Sequence, residues 1–304
     1  MKYTTPLVSI AMATCNGVNY IYQQLSSLIR QTYPNLEIII TDDDSTDGTL
    51  VILENFKTKY EHIKLFINPV KRGISAGFEH SIMHSRGEYI AISDQDDIWE
   101  PNKIEALVNA IKYEDMVYSD SELVDQNGQS LNKLTSSIAN LKSYRSGAPF
   151  LTGNCLPGNT MLLQGDFARY ILPIPKVIRY DRWLSFCAAA NNGIRYLDMP
   201  LVKYRQHETN GFAIDNAKNK INGDTRARKF HSRLLELKAW EKAPIKDAET
   251  KKLLREMIDL FTRKISFARS WFFFKNRNKL LVIKEKNLTK KIIFSLKMLF
   301  KANY

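Results

Sequence analysis

Cysteine is scarce in this chain. Cys15, Cys155 and Cys187 lie far apart in 304 residues without CxxC spacing, so neither a disulfide framework nor a thiolate zinc site is suggested. A reducing cytoplasm fits such a chain best. No apolar run reaches membrane-spanning length, and Met1-Lys2-Tyr3-Thr4-Thr5-Pro6 lacks the charged and then long apolar regions of a signal peptide. A glycine-rich phosphate loop is missing around Thr14-Cys15-Asn16-Gly17, which argues against a nucleotidyltransferase or pyrophosphorylase. Finger, RRM and helix-turn-helix patterns are missing too, so no nucleic acid is expected as a partner.

What is present is ordinary in bulk and uneven in distribution. Apolar residues make up 44% and charged residues 25%, values of a globular chain rather than a disordered or fibrous one. The net charge of +12 is not spread along it. Residues 1–222 carry 22 Lys and Arg against 24 Asp and Glu, a net of −2, and residues 223–304 carry 22 against 8, a net of +14. We therefore expect one domain over 1–222, divided into halves of about 1–100 and 101–222, followed by a basic helical tail over 223–304.

The first hundred residues alternate strand and helix, the pattern of an α/β fold with a mostly parallel sheet and helices on both faces. Leu7 to Met12 reads as a strand. Tyr20 to Gln31 sets Ile21, Leu25, Leu28 and Ile29 on one helical face, and Glu37 to Thr41 is a buried strand. The strand Ile63 to Ile67, the loop Lys71-Arg72-Gly73, a helix from Ser75 to Ser85 and the strand Tyr89 to Ile92 follow. Further on, a helix from Lys103 to Lys112, strands at Met116 to Tyr118 and Met161 to Leu163, and helical material around Trp183 to Ala190 are expected. Asp125 to Tyr144, with a turn at Asn127-Gly128, reads as a polar loop over an acceptor.

Two acidic runs stand at strand ends, where open parallel sheets bind ligands. Asp94-Gln95-Asp96-Asp97 concentrates carboxylates that repel one another unless a cation sits among them. Mg2+ or Mn2+ is the natural guest, because it takes few protein oxygens and fills its shell with phosphate and water. Asp42-Asp43 opens the turn through Asp44-Ser45-Thr46-Asp47-Gly48-Thr49, with Thr46 or Asp47 as a helix cap. A carboxylate placed there can accept the ring N–H of uracil or thymine.

These residues resemble the family 2 glycosyltransferases of GT-A fold over roughly residues 6 to 212. The likeness is carried by Val8-Ser9-Ile10 through Thr14-Cys15-Asn16, by Gln31-Thr32-Tyr33-Pro34, by Asp42 to Thr49, and by Gly87-Glu88-Tyr89-Ile90 leading into Ser93-Asp94-Gln95-Asp96-Asp97-Ile98-Trp99. The last is similar to the metal-binding motif of bacterial rhamnosyltransferase-like members. The resemblance implies an inverting enzyme in which Asp43 reads the base, Asp94 and Asp96 handle the sugar nucleotide and its metal, and His207 contacts the metal or diphosphate. It further implies that Asp181, in Tyr180-Asp181-Arg182-Trp183, is the general base, with Thr14 and Arg72 near the nucleotide. The implied donor is a UDP- or dTDP-sugar and the implied acceptor a glycan or lipid-linked glycan of surface polysaccharide, O-antigen or capsule. Cys15 departs from the family, where a Tyr often stacks on the base, and Asp44 replaces a frequent Gly.

In the tail, Lys290 to Lys301 sets Ile292, Leu296, Leu299 and Phe300 against Lys290, Lys291, Lys297 and Lys301. Such a face is expected to dock on an anionic membrane or a membrane-bound partner at the inner face of the cell membrane. Trp271-Phe272-Phe273-Phe274 is either helix core or an interfacial anchor.

Overall fold

The computed structural model describes residues 5–207, 226–263, 266–283 and 287–298. In chain order the elements are β1 (Val8–Thr14), α1 (Ile21–Ile29), β2 (Leu36–Asp43), α2 (Thr49–Lys59), β3 (Ile63–Asn68), α3 (Ile74–His84) and β4 (Tyr89–Ser93). They continue with β5 (Ile98–Trp99), α4 (Lys103–Ala110), β6 (Met116–Val124), β7 (Ser130–Leu134), α5 (Thr135–Ile138), β8 (Met161–Gln164), α6 (Gly165–Tyr170), α7 (Tyr180–Ala189) and β9 (Ile194–Arg205). The strands form one sheet in the order β3-β2-β1-β4-β8-β6-β9-β5, with β7 paired to β6.

The strand order explains where a ligand can bind. From β1 the chain moves outward to β2 and β3, then returns past β1 to β4, all in parallel register. The order therefore reverses between β1 and β4, and the crevice beyond their carboxyl ends is the binding place in such sheets. Parallel pairing ends there. β8 runs antiparallel to β4 and β6, β9 is parallel to β6, and β5 is antiparallel to β9, so the second half of the sheet is mixed where a mostly parallel one was expected.

Alternation along the strands separates two cores. Val8, Ile10 and Met12 of β1 meet Ile21, Leu25 and Leu28 of α1, Leu53 of α2 and Ile104 and Leu107 of α4 on one face. On the other, Ala11, Ile90, Ile92, Met116 and Tyr118 meet Phe78 and Ile82 of α3 and Trp183 and Phe186 of α7. The stretch expected as an acceptor loop holds instead a hairpin, with Gly128 at φ 84° in its turn. All five residues of β7 are exposed, so no apolar period marks them.

Beyond the boundary expected near residue 222, which lies outside the described residues, the chain forms helices at Arg226–Trp240, Ala248–Thr262, Ser266–Lys275, Arg277–Leu280 and Leu288–Lys297. Much of their apolar surface faces the sheet domain. Trp240 is fully buried, with its ring centroid 4.1 Å from Phe186 and 6.0 Å from Trp183 of α7. Phe272, Phe273, Leu280 and Leu281 join the same core, each contributing roughly 1.5–3 kcal/mol by burial. Trp271 stays 60% exposed and Phe267 73%. No helix among the described residues is long and apolar enough to cross a membrane.

Candidate active site

At the end of β2 both carboxylates are fully engaged by the protein. Asp42 accepts from the Thr14 hydroxyl at 2.8 Å and from the backbone N–H and hydroxyl of Ser45 at 2.9 and 2.6 Å. Asp43 accepts from the Asn68 amide at 3.0 Å and from the backbone N–H groups of Arg72 and Gly73 at 2.8 Å each. Asp43 thus closes the loop Lys71-Arg72-Gly73 onto the strand end and leaves the Lys71 and Arg72 side chains exposed. The expected helix cap at Thr46 or Asp47 falls instead on Gly48, at φ 93°. Asp47 supports that turn from beside it, accepting from Val18 N–H and Thr49 N–H at 3.1 Å each.

The two acidic strand ends are not neighbours, because β1 runs between β2 and β4. The end of β1 joins them. While Thr14 bonds Asp42, Cys15 exchanges a pair of hydrogen bonds with the Gln95 amide, N–H to Oε1 at 2.9 Å and Nε2 to the carbonyl at 3.2 Å. A Cβ on Gly17 would lie 2.5 Å from Gln95 Oε1, so glycine there makes room for this brace. Burial raises the Cys15 thiol above its usual range, with Lys71 pulling it down.

At the end of β4 the acids are not settled in this way. The Asp94 carboxyl is pushed up to about 7, first by burial and then by the negative charge of Asp96. Asp97, fully buried, is pushed well above the carboxylate range by burial and by both neighbours. It accepts from Arg205 N–H at 3.0 Å and from the Asn159 amide. Asn159 in turn accepts, through its carbonyl, from Lys103, whose ammonium lies 3.1 Å from the Trp99 ring centroid and is held well below its usual pKa by burial. Burial thus disfavours charge on Asp94, Asp97 and Lys103 alike.

Arg205 clamps this turn from below. It is 1% exposed and donates to the carbonyls of Asp96 and Gln126 at 2.7 Å each and to Gln23 at 2.6 Å, over the Tyr20 ring. His207 Nε2 lies 2.9 Å from Asp96 Oδ2, with its ring against Tyr20 at 4.6 Å. Among the described residues no three His, Cys, Asp or Glu side chains form a ready-made cage. The donors fit the other kind of site, in which Mg2+ or Mn2+ takes one or two carboxylates, here Asp94 and Asp96 with His207 beside them, and completes its shell with phosphate and water.

The facing wall is the start of α7. Tyr180 donates its phenol to Asp94 Oδ1 at 2.7 Å and packs on Phe78 at 4.0 Å between centroids. A Cβ on Gly158 would meet the Tyr180 oxygen at 2.3 Å. The next residue, Asp181, lies in the first helical turn, where the helix dipole favours an anion. It accepts from Arg182 N–H at 2.9 Å and the Asn154 amide at 3.2 Å, and Arg179 Nε stands 3.4 Å away. Arg182 turns from it to Glu236 at 3.4 Å.

Of the residues expected from the sequence, Asp96 and His207 are in contact, and Asp94 is joined through Tyr180 to α7, which carries Asp181. Thr14 is 3% exposed and its hydroxyl is given to Asp42, so what it does in the structure is fix the β1 end. Arg72 meets Asp43 through its backbone. Tyr180, Gln95, Asn159 and the Arg205 clamp were not singled out for these contacts. Asp94 and Tyr180 lie 86 positions apart, and no local pattern marks such a pair.

This arrangement, with acidic residues at the switch point and a mixed second half, is that of the GT-A glycosyltransferases. A solved structure of Staphylococcus aureus TarS in complex with UDP-GlcNAc superposes with a TM-score of 0.60, at 17% identity, over 97% of this chain and 81% of that one. The mannosyltransferase PcManGT of Pyrobaculum calidifontis, in complex with GDP-Man and Mn2+, gives 0.57 at 16% identity over 99% and 77%. Residues 9–171, more than half of the chain, match glycosyl transferase family 2, and the chain belongs to that family. An uncharacterized glycosyltransferase of Rickettsia felis is 31% identical over 68% of this chain and 35% of its own length, so the match spans about a third of that relative. The glycosyltransferase EpsE of Bacillus subtilis is 26% identical over 70% and 80%.

Proposed function

We propose that this protein transfers a sugar from a UDP- or dTDP-sugar to a hydroxyl of a glycan or lipid-linked glycan, with inversion and with the help of Mg2+ or Mn2+. The observation that carries this reading is the hydrogen bond from Tyr180 to Asp94, which sets the carboxylates of the donor side against the helix that bears Asp181. Asp181 takes the proton of the acceptor hydroxyl as the new bond forms, a contribution of about 10²–10⁴-fold. Asp94 and Asp96 orient the diphosphate side, and His207 holds Asp96. Bound there, the divalent ion supplies positive charge to the departing diphosphate. Attack from the Asp181 side, opposite the leaving group, inverts the anomeric centre. Asp43, by closing the Lys71–Gly73 loop, shapes the base end of the cleft.

UDP-GlcNAc in the TarS structure and GDP-Man in that of PcManGT support a nucleoside-diphospho-sugar donor and leave its sugar open. Likeness to rhamnosyltransferase-like members makes dTDP-rhamnose the first donor to try, with a role in O-antigen or capsule assembly. A panel of UDP-, dTDP- and GDP-sugars, assayed for Mn2+-dependent hydrolysis and binding, tests the reading. Turnover of at least one that disappears with EDTA is expected, and binding of none would overturn it.

The tail supports a location against the inner face of the membrane. Its inward rings are used up in the core, whereas Phe267 and Trp271 remain exposed on the helix Ser266–Lys275, and Ile293 and Leu296 on the helix that carries Lys290 and Lys297. Leu299, Phe300 and Lys301, expected on the same face, lie outside the described residues. Each basic residue near anionic lipid contributes about 1 kcal/mol. Flotation with phosphatidylglycerol vesicles should recover the protein, and Phe267→Ser with Trp271→Ser should reduce recovery. Equal recovery of both proteins, or no recovery of either, would end this part of the proposal.

A further inference from the structure

On the side of α3 that meets Thr41 of β2, His80 and His84 stand one helical turn apart with ring centroids 4.1 Å from each other. Residues at i and i+4 share a helix face, the spacing at which two imidazoles can hold one ion. Their tautomers are set by the hydrogen bonds behind them. His84 Nδ1 lies 2.8 Å from the His80 carbonyl, which can only accept, so this nitrogen carries the proton. For His80 the chain is longer. Ser81 spends its hydroxyl proton on the Met12 carbonyl at 2.9 Å. Thr41 must therefore donate in its 2.7 Å contact with Ser81, and its oxygen accepts in the 3.1 Å contact with His80 Nδ1.

As neutral imidazoles both rings are thus Nδ1–H tautomers with a lone pair on Nε2, the form in which metal-bound histidines donate their other N–H to a protein acceptor. Phe66 packs on both, at 4.9 and 4.5 Å, and limits their rotation. Burial, His84 and Arg72 hold His80 below its usual pKa, which favours the neutral ring. Nearby Arg72 repels any cation held by charge alone, which disfavours Mg2+ and leaves ions that bond strongly to imidazole nitrogen.

We propose that His80 and His84 form a two-imidazole site for a borderline divalent ion of the Zn2+, Ni2+ or Cu2+ type, separate from the acidic strand end. Ligands 2.0–2.1 Å from Zn2+ are within reach of rings this close. No third His, Cys, Asp or Glu side chain joins them among the described residues, so water or an outside ligand completes the shell. The ion would brace the last turn of α3.

Calorimetric titration of the full-length protein with ZnCl2 and NiCl2, in buffer with excess Mg2+, tests this. One site is expected that persists in Asp96→Asn and His207→Ala and weakens at least about tenfold in His80→Ala or His84→Ala. Thr41→Val, which removes only the acceptor behind His80, should weaken it by roughly 10–100-fold. One bound Cu2+ should show hyperfine coupling to two imidazole nitrogens by EPR, reduced to one in either histidine variant. Absence of the site in the parent, or unchanged binding by folded His80→Ala and His84→Ala, would overturn the proposal.

Discussion

The ends of β2 and β4 carry similar acids and have opposite electrostatics. Asp42 and Asp43 receive three protein donors each, from Thr14 and Ser45 and from Asn68, Arg72 and Gly73. Both oxygens of each carboxylate are thus taken by protein donors. Asp94 and Asp96 repel each other instead, and Asp94 is pushed up to about 7. The first end is closed by protein donors, whereas the second gathers carboxylates whose mutual repulsion a divalent cation would relieve.

The largest effect should come from the β4 end. Asp96→Ala removes an oxygen from a site that offers few, so transfer should fall to background while the melting temperature holds, and EDTA should do the same to the parent. A rate insensitive to both would place the comparison in error. Asp181→Asn keeps the size and removes the basicity. Turnover per folded molecule should fall at least about a hundredfold with donor affinity kept, whereas a role limited to pairing with Arg179 predicts lost stability and normal turnover.

Tyr180→Phe deletes one hydrogen bond to a charged group, a loss of about 1.5–3 kcal/mol. Donor and Mn2+ affinity should weaken roughly tenfold, and Gly158→Ala, which crowds the same phenol, should mimic it. Unchanged affinity in both would remove Tyr180 from the link between the two walls. The mildest effect on metal is expected at the β2 end. Asp43→Asn puts an amide among N–H donors and should cost about 1–3 kcal/mol in a urea titration, with Mn2+ binding unaltered.

The first four strands were legible because apolar residues recur at the period of each element and the acidic runs stand directly after them. β7 was hidden because its residues are all exposed, and β5 because it has only two residues, Ile98 and Trp99. The tail's charge was visible and its packing was not. Leu237, Leu253, Met257 and Phe261 lie on the tail's helices, and only the fold shows them in the core that holds Trp183. At the site, carboxylate positions followed from strand ends, but apart from Ser45 beside Asp42 the partners that sort the five acids into bonded and unsettled ones lie 25 to 111 positions away.

The central claim is that the β4 end needs a divalent ion and the β2 end does not. Mn2+ binding followed by EPR in the presence of UDP and of dTDP, in the parent, Asp96→Asn and Asp43→Asn, tests it most directly. The account predicts Mn2+ binding that tightens with a nucleoside diphosphate, is lost in Asp96→Asn and is retained in Asp43→Asn. Equal Mn2+ affinity in all three proteins, or loss confined to Asp43→Asn, would contradict it.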